Sequence, residues 1–485
     1  MAGYFVQAVR PLTFDEMQQS KLLELLRRLD KRQLARVSEA VQSPFFNKNE
    51  DISRFCLHII QFAPGFNQPE LDKTTVLNKL KLAKPLDERR LQYLMSDLVN
   101  LIENVMVHER IERDESARLI LLAQAFADAD LPDRAQQTLT RLGDFFEKNT
   151  HWSADRLEQG FAAAKLLYFL RDTSRRAFAP TLQAANDRLT EFFWAEKLRL
   201  LTAIANQEQM LNVQYRHNWE DSLLDRIGDE YKHPFIQLWW FAYRLTRHNL
   251  EHDFQALKNL LMTEACNLEK TDMSALTTIA LNFCTRRINR DADEHYYKEY
   301  LDLYKLLIDN NLILENGQIS PWIYKNIASA GLNTGEHAWT HQFIEQFHPL
   351  LPDDLAESMY AYNLGHLFYH EKKYGEAQQA LAKVEFRDPL LSVSARSLLI
   401  KIYVETEQDD LLFAALEAAR VWLLRNQAVT AGLRQQFQKF MEITGKMVRL
   451  LPKDRAGAKL LLEKLPQPTE VLHRDWLTTQ LNQRQ

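Results

Sequence analysis

The sharpest chemical pattern in the chain is His248-Asn-Leu-Glu251-His252, which satisfies the HxxEH spacing of zinc-dependent peptidases. Two imidazoles four residues apart on one helix could share a zinc ion. Placement opposes it: helical periodicity puts these residues across the turn between helices expected at 234 to 247 and 253 to 268, which reads as a polar turn. His337 with His341, and His366 with His370 followed by Glu371, repeat the spacing without a third ligand at a matching interval. Histidines lining a surface or groove are therefore expected, with neither a metal nor another cofactor.

Other handles for chemistry are missing from the sequence. It has no GxxxxGK[ST], no GxGxxG between a strand and a helix, and no GxSxG elbow. Cys56 shares an apolar face with Phe55, Ile59 and Ile60, and Cys284 follows Leu281 and Phe283, so both read as buried spacers; Cys266 stands apart. The pairs Asp353 with Asp354 and Asp409 with Asp410 precede apolar helices, where they can cap and complement the helix dipole. No catalytic residue is assigned, and a non-enzyme is expected.

The elements that must position these groups are helices. From Phe14 onward apolar residues recur at three- and four-residue intervals, as in Leu22, Leu25, Leu26 and Leu29, then Leu34, Val37 and Val41. The 13 Gly and 15 Pro are too few for many hairpins. Breaks fall at Asp30, at 43 to 49, at 64 to 72 and at 83 to 88, and a long helix capped by Asp87 is expected to run to about Glu109. Further helices are expected near 153 to 171, 177 to 208, 272 to 288, 293 to 311 and 319 to 332.

Beyond Asp114 helix pairs recur at roughly 34 residues. In the stretch from Glu357 to Pro389, Leu364, Gly365, Phe368, Ala377, Leu381 and Pro389 fall at tetratricopeptide intervals, with Ala361 in place of the tryptophan. Gly365 and Ala377 let antiparallel helices approach, and Pro389 stops the second. A second pair keeps Leu122, Ala123, Phe126, Ala135 and Leu139 in register. A third has Trp240, Ala256 and Leu260, but puts Arg244 and Arg247 where small and aromatic residues belong. With SPFFNKNE near the start and YNLGHLFYHEKKY and ARSLLIKIY near the end, the chain resembles a family of bacterial tetratricopeptide-like proteins of uncharacterised activity. The resemblance implies an all-α solenoid of degenerate helix hairpins with helical regions at both ends.

In such arrays the first helix of each hairpin lines a concave groove. The resemblance gives Met359, Tyr362, His366, Tyr369 and His370 as the inward face, with Leu364 and Phe368 turned into the seam. Trp239, Trp240, Phe241 and Tyr243 crowd one helix, and coverage on both faces by neighbouring helices is expected.

The second surface is basic. Lys73, Lys79, Lys81, Lys84, Arg89 and Arg90 surround a short helix, a turn and the start of the Asp87 helix, loosely like a helix-turn-helix, with Asp72, Asp87 and Glu88 interrupting. A net charge of −5 supplies no broad field toward nucleic acid. Three scattered cysteines and no leader-like or membrane-length apolar run point to a cytoplasmic setting. Three regions are expected: an N-terminal helical domain over 1–112, the repeat array over 113–427 and a C-terminal cap over 428–485. The leading reading is a scaffold for a protein or peptide. A regulator touching nucleic acid through 72–92 comes second, and a metal-dependent hydrolase using 248–252 third.

Overall fold

The computed structural model describes residues 19–68, 71, 76, 87–170, 178–211, 213–216, 226–228, 230–291, 293–385, 388–451 and 454–484. They are helical almost throughout, and they divide into two compact units. The first comprises the described residues of Met1–Asn149 and Ala162–Thr181, and the second those of Thr150–Phe161 and Leu182–Gln485. Among the described residues no helix is long and apolar enough to cross a membrane.

In the first unit, α1 (Lys21–Arg28), α2 (Lys31–Gln42) and α3 (Glu50–Ile60) pack on the long α4 (Glu88–Arg113). Local chemistry sets their starts. Asp30 and Gln33 form a reciprocal capping box: the Gln33 amide donates to Asp30 Oδ1 at 2.8 Å and the Asp30 amide donates to Gln33 Oε1 at 3.0 Å. Asp87 caps α4 by accepting from the Arg90 amide at 2.7 Å, as expected from the sequence. Leu22, Leu26, Phe55, Leu98 and Ile102 close the core, and Cys56 is buried among them with its thiol pushed up to about 12 by desolvation. The unit continues past residue 112 through a hairpin of α5 (Glu115–Asp128) and α6 (Pro132–Lys148). Ala123, Ala135 and Leu139 are buried in that hairpin, whereas Leu122 and Phe126 are only partly covered.

After α7 (Ala154–Phe169) and α8 (Pro180–Leu211), the second unit is a succession of helix hairpins. These are α9 (Pro234–His248) with α10 (Glu251–Glu264), α11 (Lys270–Arg286) with α12 (His295–Asp309), and α13 (Pro321–Asn333) with α14 (His337–Phe347). Next come α15 (Ala356–His370) with α16 (Tyr374–Leu381), and α17 (Pro389–Glu405) with α18 (Asp409–Arg425). First helices also touch one another, α9 on α11, α13 on α15 and α15 on α17. The unit ends with α19 (Ala431–Val448), α20 (Arg455–Glu463) and α21 (Arg474–Gln483).

Close approach within a hairpin depends on missing side chains. A Cβ on Gly365 would lie 2.7 Å from Leu381 Cγ, inside van der Waals contact. Gly331 makes the same kind of close approach in the α13–α14 hairpin, where a Cβ would sit 2.1 Å from Thr340 Oγ1.

The hairpin α9–α10, which departs from the tetratricopeptide pattern, keeps an apolar seam of Leu238, Leu245, Phe254 and Leu257 and adds charge pairs at its edge. Arg244 meets fully buried Asp253 at 2.9 Å, and Arg247 meets Glu208 at 3.2 Å. Its aromatic neighbours Trp239 and Tyr243 are each only 5% exposed, while Trp240 and Phe241 pack partly buried on the same core.

Two features fall outside the helical periodicity. Between α12 and α13 the strands β1 (Leu314–Glu315) and β2 (Gln318–Ile319) pair antiparallel, joined by Asn316 and Gly317 at φ 51° and 82°. This is the Asn-Gly chemistry of a tight hairpin, and it delivers Ile319 fully buried to the core. At the other end, Phe437, Phe440, Val471, Leu477 and Leu481 share one core with Val404 and Leu416, so the last helices are fused to the α17–α18 hairpin.

Candidate binding recess

The α15 row only partly matches the groove expected from sequence. Met359 is completely buried and Tyr362 is 6% exposed, so neither offers a side chain to a partner. The cause is packing: α15 touches α13, α14, α16 and α17, which covers the face that carries Met359 and Tyr362. Leu364 and Phe368, expected deep in the seam, are partly covered instead. His366, Tyr369 and His370, in the second half of α15, keep accessible surface.

Around them gather residues that the sequence pattern did not single out. Lys325 on α13 places its ammonium 5.4 Å from the centre of the Tyr362 ring and 5.9 Å from that of Trp322. Lys401 on α17 lies 5.8 Å from the Trp476 ring centre. The His366 and His370 rings stand 4.9 Å apart, and His337 is 6.1 Å from His370. His473, in the left-handed conformation at the start of α21, packs on Phe440 at 5.3 Å. These side chains come from three successive hairpins and from the C-terminal segment.

A carboxylate fastens the C-terminal helix into this row. Glu405 Oε1 accepts from the Trp476 indole at 2.6 Å and from the Tyr369 hydroxyl, and Oε2 accepts from the Tyr374 hydroxyl at 2.8 Å. Glu405 and Trp476 also border a cavity of about 1270 Å³ whose lining includes Lys372, Tyr374, Asp454 and Arg455. Thus one carboxylate on α17 ties α21 to α15 and α16.

The electrostatics describe a desolvated, cation-rich recess. Desolvation lowers the pKa of Lys325 and brings Lys401 down to about 8, with Glu405 and Asp475 opposing the latter. Desolvation is also the largest cause for the histidines. His370 falls to about 4, while His366 and His473 are held well below the usual imidazole range, with Lys325 and Lys401 adding repulsion to both. These groups keep accessible surface, His473 the most, while neighbouring side chains desolvate them. Among the described residues neither Lys325 nor Lys401 makes an ion pair, and the buried Nδ1 of His366 has no hydrogen-bond partner.

Lys401 carries a pH prediction. Its folded pKa lies below the unfolded value of 10.5, so the native state holds that proton less tightly. The stability tied to this group is therefore complete above about 10.5 and is lost as the pH falls toward about 8. Near pH 8 much of the amine is neutral and nucleophilic. Brief acetylation at that pH is expected to modify Lys401 ahead of exposed Lys298, read by peptide mass spectrometry. Slower labelling of Lys401 than of Lys298 would contradict the depressed value.

The remaining sequence candidates are dispersed. His248 ends α9 and His252 lies in the first turn of α10, with left-handed Asn249 between them. Glu251 accepts from Tyr296 and, at 2.9 Å, from Gln255, while His252 Nε2 lies 3.0 Å from Asp253. Among the described residues no three His, Cys, Asp or Glu side chains converge as a metal site. Lys73, Lys79, Lys81 and Lys84 lie outside the described residues. Arg90 is paired with Asp51, and Arg89 packs against the Tyr93 ring at 5.8 Å.

Comparison with protein-family models, curated proteins and solved structures returns no match. The recess residues that the α15 pattern missed still had a signal. Lys401 follows His366 by about the same interval as Met359 follows Lys325, roughly the spacing at which hairpin repeats are sought.

Proposed function

We propose that this chain is a non-enzymatic scaffold, a tetratricopeptide-like stack of helix hairpins that holds a segment of a partner protein along the inner row of its first helices. The supporting observation is the convergence of Lys325, His366, Tyr369, His370 and Lys401 from three successive first helices. Repeat stacking generates such rows, because each hairpin buries its apolar side on its neighbours and presents a small polar remainder on a common face. Aromatic and imidazole side chains there supply contact area at low entropic cost.

The test is co-purification from native cells with three full-length baits: wild type, Lys325→Glu with His370→Ala, and Lys298→Glu as an exposed control. A partner retained by wild type and the control and lost from the double variant is the expected outcome. A partner set identical across all three baits rejects the inner row as the docking surface. Tyr362→Ala is unsuitable, since at 6% exposure it would report folding rather than docking.

A further inference from the structure

We propose that Lys325, His366, His370, Lys401 and His473 form a binding site for a dianionic phosphoryl group. The inference deepens the scaffold reading by naming what the inner row recognises, and it rests on that reading only for the site's placement.

Charge balance carries the argument. A desolvated ammonium is costly unless a counter-charge or hydrogen bonds compensate it. Two stand here, and among the described residues neither has an ion pair. The nearby carboxylates are otherwise engaged: Glu405 accepts from three donors, and Asp388 caps α17 by accepting from the Leu391 amide at 2.8 Å. Asp475 is exposed on the first turn of α21. A phosphoryl group carrying about −1.5 to −2 at neutral pH would match two ammonium charges, where a monoanion would leave one uncompensated.

The hydrogen-bonding inventory agrees. A neutral imidazole has one N–H to donate, and His366, His370 and His473 are all kept neutral by their surroundings. Three imidazole N–H groups and two ammonium groups suit three phosphoryl oxygens, each able to accept more than one bond. The buried Nδ1 of His366, without a partner among the described residues, is a polar atom that the fold alone does not satisfy. Trp322, Tyr362 and Trp476 stand against the two ammonium groups, limiting water and strengthening attraction to an anion.

The experiment uses the full chain and two probes, inorganic phosphate and a phosphoserine peptide, titrated at constant ionic strength by calorimetry and followed by phosphorus NMR. Saturable binding is expected, weakened at least about tenfold by Lys401→Gln and by Lys325→Gln, retained by Lys401→Arg, and unaffected by Lys298→Gln. Removing a desolvated charge relieves an unfavourable term, so the glutamine variants are expected to fold, which circular dichroism checks. Tighter binding of the phosphoserine peptide assigns the group to a partner protein, and equal binding assigns the site to a free small anion. No saturable binding of either probe, or undiminished binding by both glutamine variants, overturns the proposal. Partner capture is read separately, so a partner lost from the inner-row variant without phosphate affinity would retain the scaffold and reject the phosphoryl group.

Discussion

Arg244→Ala is expected to lower the stability of the second unit by about 3 kcal/mol, far more than the loss of a surface charge. Asp253 is fully buried, its Oδ1 is 2.9 Å from Arg244 Nε, and its Oδ2 has no hydrogen-bond partner among the described residues. Truncating the arginine leaves the buried carboxylate with only the His252 ring, 3.0 Å away, to offset its charge, and also removes a guanidinium stacked 4.9 Å from the Trp240 ring centre. The double variant Arg244→Ala with Asp253→Ala should regain part of the loss, because the stranded charge is gone. All nine tryptophans fall in the sequence of the second unit, so urea unfolding followed by intrinsic fluorescence reports on that unit. A double variant as unstable as the sum of the single ones would show that the pair is not coupled.

The next residue along the helix supplies the second large effect. Phe254 is fully buried, stacked on Phe283 at 4.8 Å and edge-on to Tyr296 at 6.0 Å. Phe254→Ala removes a ring from a close-packed junction of α10, α11 and α12, and is expected to cost about 4 kcal/mol. Phe254→Leu keeps most of the volume and should cost no more than about 1.5 kcal/mol. Equal losses for the two would mean that the ring geometry, rather than the filled volume, sets the stability.

Helix positions were legible because their signals are local. Asp87 caps the helix it was expected to cap, and the apolar intervals place α7, α8, α11, α12 and α13 within a few residues of their observed ends. Which way a helix faces is set by its neighbours, and α15 has four of them. Met359 and Tyr362 therefore sank into the core while His366, Tyr369 and His370 kept surface. Arg244 and Arg247 looked like departures from the repeat, yet their carboxylate partners lie on other helices, beyond any local window. The Asn316-Gly317 turn was visible in principle but lay between stronger helical signals. The contribution of α21 to the inner row was not legible, since nothing near Trp476 in sequence announces Glu405 as its partner.

That long-range contact orders events during synthesis. The lysines at 325 and 401 leave the ribosome well before the histidine at 473 and the tryptophan at 476, and the indole reaches back across 71 positions to its carboxylate. A nascent polypeptide can therefore stack its hairpins as they emerge and still lack one wall of its pocket.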